Sequence, residues 1–256
     1  MIKKLLILMS TVACLLLFVF VLNNTSATVV NITDQTMQRD TLKVALHDKV
    51  YKMSYKQNHD DALTGLEVDL AKTLAKNIYG DAKLIDIREV SNKTALHALK
   101  KKFVDCVIAT QPMVEDSGNL YSTSYYTDYV DIIFKNGNIG DIKDLENKKV
   151  GVISKSYAYT TLEAKTTKAK MEEVVTYVDY ENYDEAFKDL EAGKIDAFCD
   201  NRVFISGANY NRYTLEECKY YIVLRGDDVN LQKKINETLS SMESSGELIA
   251  LINKWK

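Results

Sequence analysis

The side chains able to do chemistry are few and dispersed. His47, His59 and His97 lie far apart without a paired-ligand pattern, and no two cysteines have metal-finger spacing, so neither a metal nor a cofactor is expected. The carboxylates Glu115, Asp116 and Asp200 show no pairing suited to general acid–base work, so no enzymatic activity is expected. Past the N-terminal segment stand Cys106, Cys199 and Cys218, an odd number that permits at most one internal disulfide. Cys199 with Cys218 is the candidate pair, and three buried thiols acting as small apolar residues are the alternative. The net charge of −3 argues against nucleic acid as partner. The one basic run, Lys100-Lys101-Lys102, reads as a solvated helix end favoured by the helix dipole.

The N-terminus carries an address. Lys3 and Lys4 precede an apolar run from Leu5 to Leu22, and Asn23-Asn24-Thr25-Ser26-Ala27 follows. These are the parts of a secretion signal, with Thr25 and Ala27 where a signal peptidase reads small residues. At about 18 residues the run also suits an uncleaved membrane anchor, and Thr11-Val12-Ala13-Cys14 offers lipid attachment as a third option. Each places the rest of the chain outside the cytoplasm, periplasmic or attached to the outer face of the cytoplasmic membrane. Residues 1–27 are therefore set aside as signal or anchor and 28–40 as linker.

From Thr41 onward short apolar runs alternate with amphipathic stretches, the pattern of parallel α/β layers. Strands are expected over 42–46, 84–87 and 106–109. Helices are expected from Leu66 to Gly80, opened by a capping box at Thr64-Gly65-Leu66-Glu67, and over 91–102 with Ala95, Leu96 and Leu99 inward. A second, similar series has a short helix around Ile142 and Leu145, then strands over 150–153, 174–178 and 195–199. Helices run through Leu162, over 183–192 and onward from Arg202. A last strand over 220–224 precedes two helices, marked by Leu231, Ile235, Leu239 and Met242 and then by Leu248, Ile252 and Trp255.

Several segments in order resemble the bacterial extracellular solute-binding proteins, family 3. Gly65-Leu66-Glu67-Val68-Asp69-Leu70-Ala71 is similar to the family's G-F-x-x-D-L-A, and Asp105-Cys106-Val107-Ile108-Ala109 to its D-x-V-I-A strand. Tyr121 to Tyr126 resembles F-S-x-x-Y-Y, Asp144 to Val152 resembles D-L-x-G-K-x-V-G-V, and Ala192 to Ala197 resembles A-G-x-V-D-A. The ending, with Leu231, Asn236, Leu239, Gly246, Ile252, Lys254 and Trp255, fits the family's closing pattern. The resemblance implies an α/β, two-lobed type II periplasmic-binding-protein fold with a two-crossover hinge. Lobe 1 takes 41–130 and returns over 220–256, and lobe 2 takes 131–219. It also implies a monomeric receptor that binds a small polar, amino-acid-like solute and delivers it to the permease of an ABC transporter. A membrane-tethered ligand-sensing module and a cyclohexadienyl-dehydratase-like enzyme are the alternatives.

A free amino acid needs donors for its carboxylate and an acceptor for its ammonium. In the family an arginine after the D-x-V-I-A strand and an aspartate after the A-G-x-V-D-A strand supply them. Here residues 111–119 contain no arginine, and the aspartate's position falls on Asn201, with Asp200 one place earlier. Lys155, in Ser154-Lys155-Ser156 where the family has S-G-S/T, is the candidate substitute, next to a helix N-terminus suited to an anion. Tyr51 falls near the family's ligand-packing aromatic. Thr110 and Gln111 follow the strand end, and Arg202 resembles an arginine of dicarboxylate-type members. A ligand other than a simple α-amino acid, and a degenerate binder, are the alternatives to Asp200 serving beside another donor. The candidate ligand set is Tyr51, Thr110, Gln111, Lys155, Ser156, Asp200, Asn201 and Arg202.

Overall fold

In the run LKVAL, Leu42, Val44, Ala45 and Leu46 are fully buried, so it forms an interior strand, β1 (Leu42–Leu46). The computed structural model describes residues 40–255 apart from 116, 138, 172 and 206–209, so the expected signal and linker lie outside the described residues. β1 is flanked in parallel by β4 (Ile85–Glu89) and β5 (Cys106–Pro112). Two-residue strands β2 (Lys49–Val50) and β3 (Ser54–Tyr55) pair as a small ribbon after it. α1 (Leu66–Tyr79) buries Leu66, Leu70, Ala71 and Leu74. It ends at Gly80, whose φ of 89° admits the left-handed cap that closes on the Lys76 carbonyl.

The expected capping box at Thr64 is not formed. Gly65 is the N-cap without a side-chain cap, and the first free N–H groups of α1 are taken by a loop, Leu66 donating to the Lys52 carbonyl and Glu67 to that of Met53. A working box sits instead at α2 (Asn92–Lys100), where Ser91 and Thr94 exchange bonds. α2 buries Ala95 and Leu99, but Leu96 points outward and is exposed.

Two long strands cross the middle of the molecule, β6 (Asn119–Phe134) and β10 (Asn211–Arg225). Between them lie a 3-10 turn (Ile142–Leu145), β7 (Lys149–Ile153), α3 (Tyr157–Lys168), β8 (Thr176–Tyr180), α4 (Tyr183–Glu191) and β9 (Ala197–Asn201). After β10 come α5 (Val229–Ser244) and α6 (Glu247–Lys254). The sheet order is β4-β1-β5-β10-β6-β9-β7-β8, parallel within each outer group and antiparallel through the middle. Each end has its own core, Ala45, Leu99 and Val107 at one and Ile133, Leu190 and Phe198 at the other.

The expected breaks at 130/131 and 219/220 fall inside β6 and β10, which run on without interruption. No helix starts at Arg202: residues 202–205 form a turn. The expected last strand is nine residues longer at its polar end, because β6 supplies hydrogen-bond partners for it from Asn211 onward.

Gly65 has a φ of 133°, and a β carbon there would collide with the Met53 carbonyl. Gly65→Ala is expected to cost about 3 kcal/mol, lowering the melting midpoint by about 6–12 °C in a chain of this size. Thermal unfolding checks it, and an unchanged midpoint would contradict the close approach of loop and helix.

Candidate functional site

Tyr51 sits in the loop that caps α1. It is 57% exposed, its ring packs on Tyr55 at 5.0 Å, and Lys52, at a φ of 64°, holds its ammonium 5.7 Å from the Tyr51 ring centre. Tyr55 in turn meets Trp255 edge-on at 6.5 Å. Trp255 is fixed by its indole N–H on Asp69 at 2.9 Å, where Lys254 also lands at 2.7 Å. The capping loop, α1 and the C-terminal helix thus form one wall. Opposite it stand Asp128 and Tyr126 of β6 with Arg202 and Val203 after β9, enclosing a cavity of about 160 Å³.

Asp128 is almost fully buried and accepts from the Tyr220 hydroxyl at 2.6 Å and the Val203 N–H at 3.3 Å. Burial raises its pKa, against the pull of Tyr220, two backbone N–H groups and Arg202. The Arg202 guanidinium clamps Asp131 through Nε at 2.6 Å and Nη2 at 3.0 Å, and Nη2 also reaches the Thr214 hydroxyl at 2.9 Å. Its other face lies 4.3 Å from the centre of the Tyr129 ring. Arg212 shares the same Asp131 at 2.8 Å, so one fully buried carboxylate answers two guanidinium groups.

The structure brings Tyr51 and Arg202 of the candidate set to this cavity and gives most of the others local tasks. Thr110 is buried at a φ of 48°, strained for a β-branched residue, and its N–H donates to Glu67 at 2.6 Å. Gln111 donates back to the Ala109 carbonyl. Ser156 caps α3 by accepting from Tyr159 N–H at 3.0 Å, and Lys155 is exposed before it at a φ of 61°. Asp200 is buried beside Tyr183 and accepts from Asn201 N–H, and burial pushes its pKa up to about 7. Asn201 is buried against Cys218. The expected Cys199–Cys218 bridge is corrected: both are free, buried thiols, Cys199 directed at the Ala158 carbonyl and Cys218 at that of Lys219. Their strands pair with different stretches of β6, Cys199 opposite Ile132 and Cys218 opposite Asp128.

Two buried carboxylates escaped sequence reasoning. Asp128 carried no motif, and Glu67 was hidden in a capping-box pattern. Glu67 is instead fully buried, accepting from Thr110 N–H and from the Tyr125 hydroxyl at 2.5 Å, while its Oε2 has no partner among the described residues. Burial raises its pKa from 4.5 to about 8, against the two hydrogen bonds. The folded chain therefore keeps a proton that the unfolded chain releases above pH 4.5. Stability must fall as pH rises towards 8, by at most about 1.4 kcal/mol per pH unit from this group, and not below 4.5, where both states are protonated. Asp200 acts in the same sense between 3.8 and about 7. Glu67→Gln is expected to flatten this slope, its stability relative to the parent growing by a few kcal/mol from pH 5 to pH 8. Denaturant unfolding at both pH values measures it, and a difference that does not change with pH would refute a protonated Glu67.

Comparison with known proteins agrees with this architecture. The ABC transporter glutamine-binding protein GlnH of Bacillus subtilis is 29% identical over 206 residues, covering 75% of this chain and 72% of its own. The L-cystine-binding protein TcyJ of Escherichia coli is 28% identical over 244 residues, covering 87% and 85%. An ancestral arginine-binding protein bound to arginine superposes with a TM-score of 0.69 at 25% identity, over 85% of this chain and 98% of that one. The model of the bacterial extracellular solute-binding proteins, family 3, matches residues 42–256, and the chain belongs to that family.

Proposed function

We propose that the protein is an exported receptor that captures a small polar solute of the amino-acid class and delivers it to the permease of an ABC uptake transporter. The observation that carries this reading is the pair of strands β6 and β10, which join two α/β halves while a cavity at their crossing is walled from both sides. Two halves on two strands can rotate about them, and a ligand touching both walls shifts the population towards the closed state. The relatives named for binding glutamine, cystine and arginine support the amino-acid class. Binding without turnover is supported by the carboxylates near the crossing. Asp131 is committed to Arg202, Arg212 and Thr214, and Asp128 accepts from Tyr220 and Val203, and the relatives are named as binding proteins. Tyr51 and Arg202 are the contacts this reading favours, and Lys155, exposed before α3, is a second cation available from the other half.

The test is thermal unfolding of the protein against the common amino acids. A ligand at about one hundred times its Kd stabilises by about 2.7 kcal/mol, a rise of about 5–10 °C at this size. A rise with one or a few amino acids is expected. Absence of any rise across the panel would defeat the amino-acid reading.

A further inference from the structure

The positions at which the family resemblance seats a ligand's charged ends are vacant of the needed charges, since residues 111–119 hold no arginine and Asn201 stands where the aspartate falls. The cavity at the strand crossing holds both charges. Asp128 lines it, with one carboxylate oxygen taking Tyr220 and Val203 and the carboxylate also held by the Tyr129 N–H, and the burial that still raises its pKa is a cost an arriving cation relieves. Arg202 lines it too. Its Nε and Nη2 are spent on Asp131 and Thr214, while Nη1 makes no hydrogen bond among the described residues. Asp128 and Arg202 are close enough that each stabilises the other's charge. Lys52 adds a second cation to the lining, and the remainder is apolar or aromatic, with Met53, Leu66 and Ile252 beside Tyr51 and Trp255. About 160 Å³ suits one small molecule and falls short of the ~300 Å³ at which drug-sized sites begin.

We propose that this cavity holds a free α-amino acid by its zwitterionic head, the ammonium on Asp128 and the carboxylate on the Nη1 edge of Arg202, with an apolar side chain against Met53, Leu66, Ile252 and Trp255. The inference rests on the receptor reading above and names where and how that receptor binds. The charge balance supports it. Asp131 is shared by two guanidinium groups, so Arg202 keeps positive charge for a carboxylate, while Asp128 supplies the matching negative end. Tyr51, more than half exposed, stands at the mouth, where its ring can cover the bound side chain.

Calorimetric titration with L-leucine, L-methionine and L-phenylalanine, each beside its N-acetyl derivative and its methyl ester, tests the assignment. The protein is expected to bind at least one free amino acid more than tenfold tighter than the N-acetyl form. In Asp128→Asn that preference is expected to shrink to within about threefold, because the acceptor for the ammonium has lost its charge. Tyr220→Phe removes a donor that favours the charged form of Asp128, so it should shrink the preference part of the way, less than Asp128→Asn does. Arg202→Lys should narrow the gap between free acid and methyl ester, whereas Arg212→Lys, on the same Asp131 but outside the cavity, should not. A full preference retained in Asp128→Asn overturns the assignment while leaving the receptor reading intact. Binding confined to amino acids with charged side chains overturns the apolar wall as the side-chain site. If the unaltered protein binds no amino acid in either assay, the assignment and the receptor reading fall together.

Discussion

The antiparallel pairing of β6 with β10, from Asn119 opposite Arg225 to Phe134 opposite Asn211, is the constraint on which the other elements depend. β5 joins the sheet along the C-terminal half of β10, and β9 along the C-terminal half of β6. Each half of the molecule therefore hangs on a different edge of one two-stranded ribbon. The ribbon is not regular. Its register shifts between Thr214 and Glu216 and again on both sides of Tyr221, and such irregularities bend and twist a strand pair. A strand pair that bends at defined points, with a separate hydrophobic core at each end, can flex between its halves without unfolding either.

Charges buried along this ribbon do more than balance one another. Asp131 on β6 draws Arg202 from the turn after β9 and Arg212 from the start of β10, so three segments converge on one carboxylate. Asp128, three residues earlier, takes the Tyr220 hydroxyl from β10 and the Val203 N–H from the same turn. Removing either acid strands buried donors, which costs more than the net worth of the bonds themselves. Glu67 repeats the device in the first half, tying the first turn of α1 to β5 and β6 through Thr110 and Tyr125. Thr110 keeps its left-handed backbone because Glu67 over-determines it.

Periodicity exposed most of the secondary structure, because buried apolar residues recur with the spacing of their element: Leu66, Leu70 and Leu74 on α1, or Leu231, Ile235 and Leu239 on α5. It failed where partners, not burial, decide. Asn211 to Lys219 is mostly polar or charged, without a sustained apolar alternation, and becomes strand because β6 lies alongside. Leu96 sits at an apolar position of its helix yet faces outward. The pattern Thr64-x-x-Glu67 has the spacing of a capping box, but the carbonyls of Lys52 and Met53 claim the helix N–H groups first and free Glu67 to turn inward. Motif order identified the family, whereas Asp128 was invisible, since a carboxylate inside a strand comes to line a cavity only when distant chain folds over it.

The location of that cavity bears on how occupancy and closure are coupled. Tyr51, Leu66 and Trp255 belong to the first half, Arg202 and Val203 to the turn after β9, and Asp128 to the ribbon between them. Rotation of the halves about the ribbon would change the distance between the walls more than it would move Asp128, which belongs to the ribbon itself. A ligand anchored there can enter the open form on one contact and gain the rest only on closing. Its affinity difference between the two states, which alone can shift their populations, then comes from the contacts made by the moving walls. On this geometry a change at Tyr51 or Trp255 alters how strongly the ligand favours closure, whereas a change at Asp128 alters both states together.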